Sequence, residues 1–82
     1  MTEAEVYEAL GGIFRTVFGR DDMVVSPALS ARDVPGWDSF KQIEVMMATE
    51  ERFGIELSTG DIDSLRNVGD LARIVLSRQA GA

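Results

Sequence analysis

Within this 82-residue chain, the stretch Gly36-Trp37-Asp38-Ser39 places one hydroxyl where an irregular segment gives way to an amphipathic one. Ser39 is the candidate reactive group. The chain contains no histidine and no cysteine, so it lacks the imidazole that ordinarily activates a serine nucleophile. Thiolate chemistry, disulfides and cysteine-based metal sites are excluded on the same count. A catalytic serine here would need a base built from Asp, Glu or Lys alone. The hydroxyl is better suited to accept a group from another enzyme, and the chain is expected to be no enzyme, with no catalytic residue and no metal site of its own.

Two local readings of Ser39 stay open. With Asp38 as N-cap, Ser39 takes the first helical position, where side chains point outward and backbone N–H groups are free. A phosphate ester on Ser39 would then sit in the favourable field of the helix N-terminus. With Ser39 itself as N-cap, Ser39-Phe40-Lys41-Gln42 forms a Ser-x-x-Gln capping box and the hydroxyl is structural. Two other motifs carry no chemistry. Asp61-Ile62-Asp63-Ser64-Leu65-Arg66 opens like a calcium loop, but Leu65 and Arg66 occupy positions that need an oxygen ligand and a glycine. Gly11-Gly12 lacks the further spaced glycine of a nucleotide site and reads as a packing or flexibility feature.

The elements that must position Ser39 are legible from capping and periodicity. Thr2 with Glu5 three residues on is a capping box, and Val6, Leu10, Ile13, Phe14 and Val17 follow at helical spacing toward Gly19, giving a first helix over 2–18. From 19 to 37 no period survives. Met23, Val24, Val25, Leu29 and Val34 predict that this long loop packs back on the core. Phe40, Ile43, Met46, Met47 and Phe53 define a second helix over 38–53, closed by Gly54. A short helix is expected over 59–65. Asn67 and Asp70 open a last helix over 67–78, with residues 79–82 fraying. The expected architecture is all-α, three main helices plus one short helix, in a single domain spanning 1–82.

Charge and hydropathy narrow the function classes further. Fourteen acidic residues against eight basic ones leave a net charge of −6, without the basic stripe that nucleic-acid binding needs. No apolar run approaches the ~18 residues of a membrane span, and the acidic opening lacks the basic leader of a signal peptide. A cytoplasmic monomer is expected.

The stretch Asp38-Ser39-Phe40 through Ile43-Glu44, Met46-Met47-Ala48, Glu50-Glu51 and Phe53-Gly54-Ile55-Glu56 resembles the acyl carrier proteins, and the likeness continues through Val68 and Leu71. The resemblance implies that Ser39 receives 4′-phosphopantetheine from coenzyme A through a separate, magnesium-dependent phosphopantetheinyl transferase. Acyl or aminoacyl groups would then ride on the thiol of that arm as thioesters and fold back among the helices in transit. Asp38 matches the residue that caps the helix and helps engage the transferase. Phe40, Glu44, Met47, Glu50 and Glu51 match positions that contact acyl-loading and acyl-processing enzymes, which present basic docking patches.

Where the chain departs from fatty-acid carriers, the departures point to a specialised pathway. Lys41 and Arg52 stand at positions more often acidic or neutral, Phe40 replaces a usual leucine, and Gly-Trp-Asp-Ser looks like carriers dedicated to polyketide, aminoacyl or modified-acyl synthesis. Thr49 stands where an apolar residue would face the cargo cavity. An unpaired buried hydroxyl there would disfavour a long alkyl chain, so a short or polar cargo is expected. A peptidyl or aminoacyl carrier, and an unmodified acidic helical adaptor, are the alternative readings.

Overall fold

The computed structural model describes residues 1–80, which form four α-helices and no strand among the described residues. Helix α1 spans Glu3–Phe18. It starts where Thr2 Oγ1 accepts the Glu5 N–H at 3.2 Å and Glu5 Oε1 accepts the Thr2 N–H at 2.8 Å. The Thr2 backbone N–H, and after it the Thr2 hydroxyl, hold the Glu5 carboxyl below the usual glutamate range. Val6, Leu10 and Phe14, one helical turn apart, form its buried stripe. Gly11 lies on that stripe. A Cβ there would come within 3.2 Å of an Arg15 guanidinium nitrogen, and that same nitrogen donates to the Met23 carbonyl at 3.1 Å. One of the paired glycines therefore leaves room for an arginine that ties α1 to the following loop. No comparable neighbour comes within 4 Å of a Cβ at Gly12.

Helix α2 spans Ser39–Phe53, α3 spans Thr59–Asp63 and α4 spans Val68–Ala80. Helix α1 packs against α2 and α4. Val45, Met46 and Phe53 from α2, with Val68, Leu71, Ala72 and Val75 from α4, close the core over the α1 stripe. The short helix stops at Asp63, sooner than the sequence suggests, because the Ser64 hydroxyl donates back to the Asp61 carbonyl at 2.8 Å and turns the chain. The last helix runs past residue 78. The helix includes residues 79 and 80, and Gln79 donates its side-chain N–H to the Phe53 carbonyl. The remaining residues of the expected tail lie outside the described ones.

The loop between α1 and α2 wraps onto the core through Met23 and Val34, which are buried, and through half-buried Val25 and Leu29. Val24 is a correction to the sequence reading: it is 79% exposed, because neighbouring residues in an extended segment face opposite ways. A 3-10 turn at Ala31–Asp33, unmarked in the hydrophobic pattern, is braced by the Asp33 carboxylate accepting the Ser30 N–H at 3.1 Å. The loop also completes α4. Asn67 Oδ1 caps it by accepting the Asp70 N–H at 2.9 Å, and the otherwise orphaned N–H groups of Val68 and Gly69 donate to the carbonyls of Leu29 (2.8 Å) and Pro27 (2.9 Å).

Gly69 is the tightest point of this junction. A Cβ there would fall 2.9 Å from the Pro27 carbonyl oxygen, so the loop backbone and not a flexible side chain would have to move. Gly69→Ala is expected to destabilise the fold by about 1–3 kcal/mol, the range for overpacking. Urea denaturation checks this, and a stability equal to that of the parent protein would contradict the packing described.

Candidate functional site

Asp38 is the N-cap of α2. Its Oδ1 accepts the Lys41 N–H at 3.0 Å, and its backbone carbonyl accepts the Gln42 N–H at 2.9 Å. Ser39 is consequently the first helical residue. Its side chain is exposed, and among the described residues its hydroxyl has no hydrogen-bond partner in the protein. Gln42 is committed elsewhere. Its Oε1 accepts the Trp37 indole N–H at 2.7 Å, which removes the Ser-x-x-Gln capping box.

Trp37 sets where α2 begins. The indole sits edge-on to Phe14 at 5.2 Å and to Phe18 at 5.9 Å between ring centroids, both from α1. The chain reaches it through a tight turn in which Trp37 N–H donates to the Val34 carbonyl and Gly36 adopts φ +87°, a conformation suited to glycine. With its ring packed on α1 and its N–H held by Gln42, Trp37 fixes the approach of the loop. Asp38 and Ser39 then emerge at the surface.

Beside Ser39 lies an open groove of about 580 Å³. Its deep surface is apolar, with buried Phe14, Met46, Val68 and Leu71. Trp37 and Ile43 border it on the α2 side, and Ile62 and Leu65 on the side of α3. Arg78 holds that second wall in place: one guanidinium nitrogen reaches both Asp61 oxygens at 3.0 and 3.1 Å, and the other donates to the Glu56 carbonyl at 3.1 Å. The backbone N–H of Ser58 and the Arg78 guanidinium keep the Asp61 carboxyl below the usual aspartate range. Asp70 is lowered likewise, by the Arg66 N–H and by Arg73.

The remaining sequence-derived residues divide by what they touch. Phe40 and Met47 point outward on α2, and Glu51 is exposed. Glu44 lies 3.7 Å from Lys41 Nζ, which also donates to the Val17 carbonyl at the end of α1. Glu50 is half-buried and is engaged within the molecule: its Oε2 accepts the Leu57 N–H at 2.8 Å and closes the segment after α2. The expectation built on Thr49 also changes. Its side chain is fully buried, but Oγ1 donates to the Val45 carbonyl at 2.7 Å and Thr49 does not line the groove, so no unpaired hydroxyl opposes an alkyl chain. Sequence reasoning passed over Ile43 as a site residue. Its spacing of four from Ser39 was the available signal, since that places it one turn on along the same face. Among the described residues there is no group of three or more acidic side chains able to hold a metal ion, and no helix long and apolar enough to cross a membrane.

An exposed serine opening a helix beside an apolar groove, on a chain without histidine or cysteine, suits a carrier domain. Residues 8–75 match the family described as the phosphopantetheine attachment site. The chain is 30% identical over 74 residues to the meromycolate extension acyl carrier protein of Mycolicibacterium smegmatis, covering 90% of this chain and 75% of that one. It is 28% identical over 82 residues to an acyl carrier protein of Acidothermus cellulolyticus, covering 100% and 98% of the two chains. The solution structure of a holo acyl carrier protein from Geobacter metallireducens superposes with a TM-score of 0.87 at 36% identity, covering 93% of this chain and 87% of that one. The chain belongs to the acyl carrier protein family. Its cofactor is covalently attached 4′-phosphopantetheine, and it is a non-catalytic carrier that works with a phosphopantetheinyl transferase and acyl-processing enzymes. The geometry fits the group: a free hydroxyl at the groove's rim and an apolar interior beside it.

Two measurements test this description of the site. Asp38→Ala removes the cap and should cost about 0.5–2 kcal/mol, whereas Ser39→Ala should change stability by no more than about 0.5 kcal/mol. Equal losses in chemical denaturation would mean that the serine shares the capping. For Asp61, a carboxyl lowered in the folded state stabilises above its unfolded pKa, and that contribution disappears as pH falls through the folded value. Protection factors for amide exchange in α3, corrected for the intrinsic pH dependence of exchange, should therefore fall on acidification below about pH 4. In Asp61→Asn they should already be low at neutral pH.

Proposed function

We propose that Ser39 is the residue esterified with 4′-phosphopantetheine and that the carrier serves a dedicated acyl-assembly pathway. The observation that carries the first part is the division of labour at the start of α2. Asp38 caps the helix, so the adjacent hydroxyl is exposed and unbonded at the edge of the groove. Attachment joins Ser39 Oγ to the phosphorus on the pantetheine side of coenzyme A, breaks the pyrophosphate P–O bond so that adenosine 3′,5′-bisphosphate leaves, and releases the hydroxyl proton. No histidine exists in this chain to accept that proton, and the proposal assigns the base to the transferase. The negative phosphodiester would lie at the N-terminus of α2, whose unpaired N–H groups and dipole favour an anion.

When bound, the arm supplies a terminal thiol that holds acyl cargo as a thioester. The chain's own residues do the rest. Trp37, Ile43, Ile62 and Leu65 offer apolar walls against which such cargo is shielded from water, and Arg78 keeps the α3 wall in place through Asp61. Trp37 before the Asp-Ser pair, Phe40 after it, and the relative named for meromycolate extension support a dedicated pathway. Thr49, bonded to the Val45 carbonyl and away from the groove, sets no limit on cargo length.

Intact-mass measurement tests the proposal directly. Incubated with coenzyme A, magnesium and a promiscuous phosphopantetheinyl transferase, the protein should gain the mass of one phosphopantetheine, and Ser39→Ala should gain none. Modification of the Ser39→Ala protein, or a folded parent protein that stays unmodified, would refute the assignment. An unmodified protein would favour the adaptor reading.

A further inference from the structure

The groove beside Ser39 is apolar in its depth, but Gln42, Arg66 and Asn67 also line it, and each carries hydrogen-bond donors. Bonds inside the protein decide what the two amides offer. Gln42 is half-buried and its Oε1 accepts the Trp37 indole N–H at 2.7 Å, which leaves the NH2 branch of the amide without a partner among the described residues. Asn67 is placed likewise. Its Oδ1 caps α4 by accepting the Asp70 N–H at 2.9 Å, and its NH2 branch is unbonded. Arg66 donates its backbone N–H to Asp70, but its exposed guanidinium, a group with donors and no acceptor, makes no hydrogen bond among the described residues.

No fully buried side-chain nitrogen or oxygen lacks a partner among the described residues, so these unbonded amide nitrogens are accessible and not sealed in the core. A lining with donors to spend suits a ligand rich in acceptors. Two carboxylates line the same groove, Asp38 beside Ser39 and Asp63 at the end of α3. Against the single cation of Arg66 they leave no positive excess, and a neutral carbonyl oxygen fits this lining better than a carboxylate.

Resting on the readings of Ser39 as the attachment residue and of the groove as the shelter for cargo, we infer that this carrier selects acyl chains bearing oxo groups, whose carbonyl oxygens accept hydrogen bonds from Gln42, Asn67 and Arg66. Trp37 and the Asp70 N–H act as positioning groups: each holds an amide oxygen and so fixes which branch of that amide is left for the cargo. A saturated chain of equal length fills the apolar depth but sets hydrocarbon against the donors, which then lose their water without gaining a partner. The amide carbonyls of the pantetheine arm are the rival acceptors for the same donors.

The test loads the full-length apo protein, through coenzyme A analogues and a promiscuous phosphopantetheinyl transferase, with octanoyl, β-oxo-octanoyl or octanedioyl chains joined by an amide in place of the thioester. NMR reads NOE contacts from the chain to the Ile62 and Leu65 methyls, which report seating, and the exchange of the Gln42 and Asn67 side-chain NH2 protons with water. With β-oxo-octanoyl that exchange should slow about fivefold or more relative to octanoyl, the protection that a hydrogen bond of ordinary strength gives. In the double variant Gln42→Glu, Asn67→Asp each internal bond keeps its acceptor oxygen while the donor branch becomes an acceptor, so β-oxo-octanoyl should seat less than octanoyl. Circular dichroism checks folding, and if the double variant does not fold, Gln42→Glu alone is read in the same way. Equal exchange with the two chains, slowed or not, leaves the donors to the arm or to water and overturns the inference while the groove still shelters cargo. Slower exchange with octanedioyl than with β-oxo-octanoyl would make a carboxylate the preferred ligand and also overturn it, as would a variant that seats the oxo chain as well as octanoyl. Absence of contacts to Ile62 and Leu65 from every chain overturns the groove reading and this inference together, and a folded protein that takes no load overturns the attachment at Ser39 as well.

Discussion

The hydrogen bond from the Lys41 N–H to the Asp38 carboxylate is the contact on which the site depends. A helix start leaves its first N–H groups without partners, and a serine placed there is readily drawn in to satisfy one. Asp38 meets that need one residue earlier, at 3.0 Å, so the Ser39 hydroxyl is left outside the helix's own bonding. The cap in turn relies on Trp37, because only an anchored approach delivers Asp38 in the extended conformation that an N-cap requires. Packing of the indole on Phe14 and Phe18 is therefore transmitted, through two residues of backbone, into the availability of one oxygen atom.

The same economy governs the groove. Its α2 wall is set by the buried face of a long helix, but its other wall rests on α3, five residues long and too short to be stable alone. Arg78 from α4 and the Ser58–Asp61 capping box hold it. The long loop contributes by bonding to α4, where the Pro27 and Leu29 carbonyls take up N–H groups that would otherwise be orphaned. Gly69 allows that approach. A connection that looks structureless in sequence thus acts as a strap across one end of the core.

What α2 shows to the outside differs from what its composition implies. Counting glutamates describes an acidic helix. In the folded chain Glu50 closes the turn after the helix and Glu44 shares its field with Lys41, while Phe40, Ile43 and Met47 are exposed on the same helix. The departures from the common carrier pattern, Lys41 above all, gain a physical meaning here: the lysine links α2 to the end of α1 as well as altering the charge of the surface.

The all-helical class, the three main helices, the buried stripe of α1 and the candidacy of Ser39 were all legible in the sequence. The reason is that caps and amphipathic periods arise from interactions within four residues: Thr2 with Glu5, Asn67 with Asp70, Val6 with Leu10. The absence of histidine and cysteine likewise showed, without coordinates, that the chain lacks the imidazole that ordinarily activates a serine. Tertiary structure alone decided between Asp38 and Ser39 as cap, turned Val24 outward, committed Glu50 and paired the Thr49 hydroxyl with a backbone carbonyl. It also brought Ile62 and Leu65 opposite Trp37 to make a groove. Most of these outcomes depend on which distant surfaces meet, Trp37 with α1 and the loop with α4, and spacing along a chain carries no record of such meetings.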